Sequence, residues 1–345
     1  LGSVYLVAVN DMTLADSVTS VSGDILVDAG LDLTQAAAIT STSGDVGLIA
    51  VGSLDQASDG DVTTGGDVLL ESGVDWMMAG DTVVTAGGNV VGQALGGDIE
   101  LGVIRGTNVA LMASDNILDA NAGSLNVTAD NLSLRADNGL IGNHDNVNGF
   151  AEENANAIDL DVAVLAAHSD SGIYLSEADG LTVTSVSEVV VDIESLVRVN
   201  FNSTTDDVSV DRNAAVLEDL RTTTDGPIKL VSESGVLTIE GGSDAQGLSA
   251  AGSGDVLLEA RGADGDLIIN ADVVSDTGNI TLDAGNDLAL NASVTTGGLG
   301  SVYLVAVNDM TLADSVTSVS GDILVDAGLD LTQAAAITST SGDVG

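Results

Sequence analysis

Set out so that each line begins after a glycine-rich turn, the sequence falls into consecutive lines of 21 or 22 residues. The line from Asn279 is "NITLDAGNDLALNASVTTGGLG"; "SVYLVAVNDMTLADSVTSVSG" starts at Ser3 and "DILVDAGLDLTQAAAITSTSG" at Asp24. "DVGLIAVGSLDQASDGDVTTGG" follows from Asp45 and "DVLLESGVDWMMAGDTVVTAGG" from Asp67. Read downwards, the columns agree in chemistry. Position two holds Ile280, Val4, Ile25, Val46 and Val68, and position four holds Leu282, Leu6, Val27, Leu48 and Leu70. Position six is small throughout (Ala284, Ala8, Ala29, Ala50, Ser72), and position ten is large and apolar (Leu288, Met12, Leu33, Leu54, Trp76). A short exact period of this kind is the mark of a repeat architecture in which each line is one structural unit stacked on its neighbours.

Within a line, apolar and polar residues alternate, as in "DILVDAG" and "NITLDAG". That is the two-residue period of a strand with one buried face. The apolar segments are short, β-branched and bounded by Gly, Asn, Asp and Ser, and helical spacing is nowhere sustained. The leucine-rich-repeat pattern is missing, and a propeller blade needs about twice this period. The fold class that fits is all-β: a parallel β-helix, or β-solenoid, of about 15 or 16 coils, with the small residue of position six at a tight interior corner. A related line, "DVLLEARGADGDLIINADVVSDTG", begins at Asp255. Two stretches break the pattern. Residues 140–157, "LIGNHDNVNGFAEENANA", are polar and read as a loop projecting from one coil. Residues 188–226 read as irregular coils and hold or adjoin Arg198, Arg212, Arg221 and Lys229.

A longer repeat lies over the short one. Residues 299–345 copy residues 1–47 letter for letter, which sets a unit of 298 residues. The expectation is one continuous solenoid over 1–345, cut as a window from a longer tandem array, with further copies of the repeat as its first partners. Composition agrees with thin aliphatic layers: hydrophobic residues make up 44% and aromatic residues 2%, whereas a globular core would normally use rings for bulk. The formal charge is −46, from 53 acidic and 7 basic residues. Nucleic acid is excluded as a partner, because phosphate binding needs a basic footprint. Anionic membrane surfaces are disfavoured on the same grounds, and no apolar run reaches the length of a membrane span, so no direct membrane insertion is expected. There is no Cys, hence no disulfide and no thiolate metal site.

The "GDVLLES" and "GNITLDAGNDLAL" lines, with "LSLRADNGLIGN" and "AIDLDVAVLAA", resemble the filamentous-haemagglutinin-like repeats of giant bacterial surface proteins. The resemblance covers nearly the whole chain and reports architecture better than activity. It implies a right-handed parallel β-helix, export across a bacterial envelope to the cell surface, and a role in adhesion or fibre building. The verbatim 298-residue repeat departs from that family's diverging coils and favours a fibre of equivalent units.

Aligned carboxylates are the most distinctive chemistry. The first column contains Asp24, Asp45 and Asp67, the fifth Asp28, Glu71 and Asp283, and the ninth Asp11, Asp32, Asp75 and Asp287. Coils stacked at about 4.8 Å turn these columns into ladders of like charge, with neighbours repelling by roughly 0.9 kcal/mol in bulk water. Such ladders could hold Ca²⁺, a hard cation that takes several oxygen ligands. The alternative is that Asp and Asn serve turns and solubility. Spread along roughly 75 Å of stacked coils, the charge approaches the linear density of duplex DNA. Divalent cations are therefore expected to influence stiffness and any lateral self-association, and no cofactor is required. Catalysis is not expected. His144 and His168 have no evident partners, and the carboxylates are spread over every coil. Trp76 falls in an apolar column and reads as core. The function expected is a structural segment of an extracellular fibre or sheath. An adhesin using the 140–157 loop is the alternative, and a β-helix polysaccharide-degrading enzyme comes third.

Overall fold

A computed structural model describes residues 2–143, 156–200 and 202–345. Among them there is no helix: parallel stacked coils form a β-solenoid of about 15 turns. The chain divides into two compact units. Unit 1 is Leu1–Asp137 with Ser187–Val216, and unit 2 is Asn138–Val186 with Leu217–Gly345.

In unit 1 a regular coil carries three short strands. One coil has Ile25–Ala29, Leu33–Gln35 and Ile39–Ser41; the next has Val46–Ala50, Leu54–Gln56 and Val62–Thr64. Each strand pairs in parallel with its counterpart one coil on, so like residue meets like. Position two stacks as Val4, Ile25, Val46, Val68, Val90 and Val109. Position six stacks as Ala8, Ala29, Ala50, Ser72, Ala94 and Ala113 in the same ladders. Interior positions two and four are fully buried from Ile25 onwards, because only a residue with no polar atom can fill a core whose walls repeat every coil. Trp76 pairs with Leu54 and Ile99 in position ten and is fully buried, as its column predicts. Its indole N–H donates to Gln56 Oε1 at 2.8 Å, and Gln56 Nε2 donates to Gln35 Oε1 at 2.8 Å. A buried polar ladder of this kind is tolerated because its members satisfy one another.

Unit 2 uses the same coil. Ile173, Ile228, Val256, Ile280, Val302 and Ile323 stack in position two. Leu237, Leu267, Leu288, Met310 and Leu331 stack in position ten. The recurring "S-x-x-G" at the close of a line also has a physical reason. Ser318 Oγ donates to the Gly300 carbonyl one coil back at 2.8 Å, and the Gly342 N–H donates to Ser339 Oγ at 2.8 Å. The hydroxyl thus satisfies backbone groups of the turn and of the neighbouring turn.

One expectation is overturned. Residues 189–214 are not irregular coils but an antiparallel hairpin of Val189–Val199 and Thr205–Ala214, a separate two-stranded sheet. Its two long strands alternate in burial, with Val189, Val191, Ile193, Leu196 and Ala214 inward and Val197 and Val199 outward. That period is the same as a solenoid strand's, which is why sequence spacing alone does not separate them. Coil structure resumes at Leu220–Thr222, paired with Ala167–Ser169. The hairpin adds length without adding a turn, so the 298-residue unit holds about a dozen coils rather than the 13 or 14 its length suggests.

Of the 140–157 loop, residues 144–155 lie outside the described residues, His144 among them. On either side, the Asn143 N–H donates to the Asn156 carbonyl at 2.7 Å, and the chain re-enters a strand at Ile158.

Candidate functional site

The first and ninth acidic columns run from coil to coil, and the structure shows what they do. In the first column the Asp45 N–H donates to the Asp24 carboxylate at 2.9 Å. The Asp67 N–H donates to Asp45 at 2.7 Å and the Asn89 N–H to Asp67 at 2.7 Å. The ninth column repeats the device. Asp32 donates to Asp11 at 3.3 Å, Ser53 to Asp32 at 2.9 Å, Asp98 to Asp75 at 3.0 Å, and Asp309 to Asp287 at 3.0 Å, each through its backbone N–H. At these corners a short acceptor side chain reaches a backbone donor that the strand ladders leave over, joining one coil to the next. Asn and Ser serve the same column, because the role needs an acceptor and not a charge: the Ser301 N–H donates to Asn279 Oδ1 at 3.0 Å. Burial, with Asp24, Asp67 and Asp192 nearby, pushes the Asp45 carboxyl above the usual range against the pull of the Asp67 N–H.

The fifth column is not a continuous ladder. Asp28 stacks on Ile49, which separates it from Glu71, and Glu71 stacks on Gln93. Glu71 is mostly buried and forms a two-pronged ion pair with Arg212 of the hairpin, Nη2 to Oε1 at 3.0 Å and Nε to Oε2. A carboxylate held by a guanidinium fork is poorly placed to ligate a cation. Asp283 stacks between Glu259 and Val305. Burial first, and then Glu259, raises its carboxyl, while Arg261 opposes them. None of the ten sequence-predicted carboxylates belongs to a converging trio among the described residues.

The trio that does converge is one the sequence reading missed: Asp161, Glu177 and Asp179 in unit 2, with ligand oxygens within 4.8 Å of one another. Glu177 is fully buried and stands in the small-residue column, stacked on Ser232 and then Ala260. A Glu where other coils carry Ala or Ser was the available signal. The Val162 N–H donates to its carboxyl at 3.2 Å, yet burial dominates and pushes the acid up to about 8. At neutral pH it is mostly protonated, which suits a buried acid and opposes cation binding. His168, which showed no partner in the sequence, donates Nε2–H to the Glu218 carbonyl at 2.6 Å.

The second feature is the hairpin's seat, which lies within unit 1. Position three points outward, and there Leu26, Leu69, Val91 and Ala110 form one apolar cluster with Val189, Val191, Ile193, Leu196 and Ala214. Tyr5, Ile49 and Met112 pack against its margin. A Cβ on Gly47 would lie 2.5 Å from Ile193 Cδ1, so this glycine leaves the notch that the isoleucine fills.

No known protein family, curated protein or solved structure matches the chain.

Proposed function

We propose that the chain is a structural segment of an extracellular fibre or sheath, built by head-to-tail repetition of the 298-residue unit in a giant surface protein of the filamentous-haemagglutinin-like kind. One observation carries this reading. The coil containing Ile280–Ala284 accepts the verbatim copy of the chain's own beginning, Val302–Ala306, in the same parallel register that joins every other pair of coils. Leu288 on Met310 and Val294 on Val316 continue it on the other two strands. The end of one unit is thus complementary to the start of the next. A heterologous contact repeated by translation builds a filament without a closed end.

The chemistry is mechanical. Backbone ladders, aliphatic columns and Asp or Asn acceptors link each coil to the next, and the net charge of −46 keeps the surface soluble. Divalent cations enter as screening counterions that bring like-charged surfaces together, with no single cage required. This reading assigns the chain no catalysis. Antibodies raised against the chain should decorate filaments on intact bacterial cells at a regular spacing. Label that appears only after lysis, or on no extended structure, would overturn the assignment.

A further inference from the structure

Leu26 and Leu324 are the same residue of the same 47-letter text, one unit apart. Their stacking neighbours are also the same. Leu26 lies between Tyr5 and Gly47; Leu324 follows Tyr303, and Gly345 bonds back to its coil through the Val325 N–H and the Ile323 carbonyl. Yet Leu26 is 1% exposed and Leu324 is 49% exposed. Two things differ: beyond Gly47 the column over Leu26 continues to Leu69 whereas only Gly345 follows Leu324, and Leu26 carries a cover that Leu324 lacks. Over Leu26 lies Ile193, seated in the Gly47 notch, whereas the nearest atom to a Cβ on Gly345 is Leu324 Cδ1 itself, at 3.8 Å. Tyr303, paired with Thr281 on one side and Leu324 on the other, is 36% exposed. Leu257, Thr281, Tyr303 and Leu324 line a groove of about 480 Å³ in unit 2.

We propose that this groove is a docking site for a second copy of the Ser187–Val216 hairpin, carried by the following 298-residue unit of the same chain. The inference rests on the tandem reading above. Sequence identity makes it specific: residues 299–345 repeat residues 1–47, so Tyr303, Leu324 and Gly345 offer the next hairpin what Tyr5, Leu26 and Gly47 offer in unit 1. Ile193 then fills the Gly345 notch, and the contact becomes a clasp placed once per unit along one face. A hairpin seated on Tyr303, Leu324 and Gly345 packs on the first coils of its own unit, directly beside the Thr281–Tyr303 junction, and so ties the order of that junction to the folding of the next unit.

The absence of cysteine makes the test clean. Single-cysteine variants Leu324→Cys, Tyr303→Cys and Leu26→Cys would be made in the 345-residue chain and in a chain lengthened by one unit, residues 48–345 added after Gly345. Thiol alkylation rates would then be compared. In the shorter chain the thiols at 324 and 303 should react as open groups and that at 26 should be protected. In the longer chain those at 324 and 303 should slow by roughly tenfold or more. Removing only the second hairpin should restore their reactivity. Unchanged rates in a longer chain whose junction resists proteolysis would overturn the docking site and leave the tandem reading standing. Rapid proteolysis at the junction would overturn both. Concentration-dependent protection at 324 in the shorter chain would instead assign the groove to a separate molecule and overturn the proposed source.

Discussion

Units 1 and 2 are written with the same coil but finished differently. In both, positions two and four face inward and stack like on like, and each coil is satisfied by its neighbours. In unit 1 the outward position three is also apolar, at Leu26, Leu69 and Val91, and a hairpin from far along the chain is laid over it. In unit 2 the same position reads Tyr174, Lys229, Leu257, Thr281, Tyr303 and Leu324, a mixed column for most of its length. Stacking therefore makes the solenoid, and a separate layer of packing decides which face is closed. The two layers use different information: a period of 21 or 22 residues for the first, and complementarity across more than a hundred residues for the second.

The largest break in this comparison comes from deleting Ser187–Val216. Val186 and Leu217 are bonded to each other, N–H to carbonyl at 2.8 and 3.1 Å, so a short turn can replace the hairpin. Unit 1 should lose on the order of 5 kcal/mol, since Leu26, Leu69, Val91 and Ala110 beneath the hairpin return to water. Unit 2 should keep its stability, and hydrogen exchange read separately over the two units checks both statements. Next in size is the matched pair Leu26→Ala and Leu324→Ala. The first should cost about 2–4 kcal/mol by chemical denaturation and the second less than about 0.5, although the two positions share one sequence context. Equal costs would mean that the hairpin does not bury Leu26. Arg212→Ala should cost about 1–3 kcal/mol by leaving Glu71 buried and unpaired, and Glu71→Gln in the same chain should recover part of the loss.

The remaining effect belongs to unit 2 and appears only with pH. The Glu177 acid is raised from 4.5 to about 8 by burial, so the fold favours its protonated form. That contribution is complete below about pH 4.5 and is lost as pH rises through 8, while unit 1 does not share it. Glu177→Gln should flatten this decline, with unit 2 gaining stability at pH 9 and little at pH 4. Melting followed across that range reads the result.

Much of this was legible in the text of the chain. Val4, Ile25, Val46 and Val68 align as letters and stack as residues, because a solenoid is the one fold in which sequence columns become spatial columns. Trp76 reads as core for the same reason. The hairpin was not legible, since Val189, Val191 and Ile193 alternate as any solenoid strand does, and only their partners across the sheet differ. Its signal lay elsewhere, in "DILV" and "DVLL", where three consecutive apolar residues leave one facing outward. The acidic columns were visible as columns but not as acceptors of the next coil's N–H. That role is shared by Asp, Asn and Ser, and becomes evident only when Asn279 and Asp24 are seen at the same corner.

The central claim is that the end of each unit receives the beginning of the next, coil on coil. Electron cryo-microscopy of the native assembly measures this directly through its axial repeat. A dozen coils at about 4.8 Å place one hairpin-bearing unit every ~60 Å along the axis, with the 4.8 Å layer spacing running unbroken through the junctions. A repeat far from that length, or a gap in the layer spacing at each junction, would contradict it.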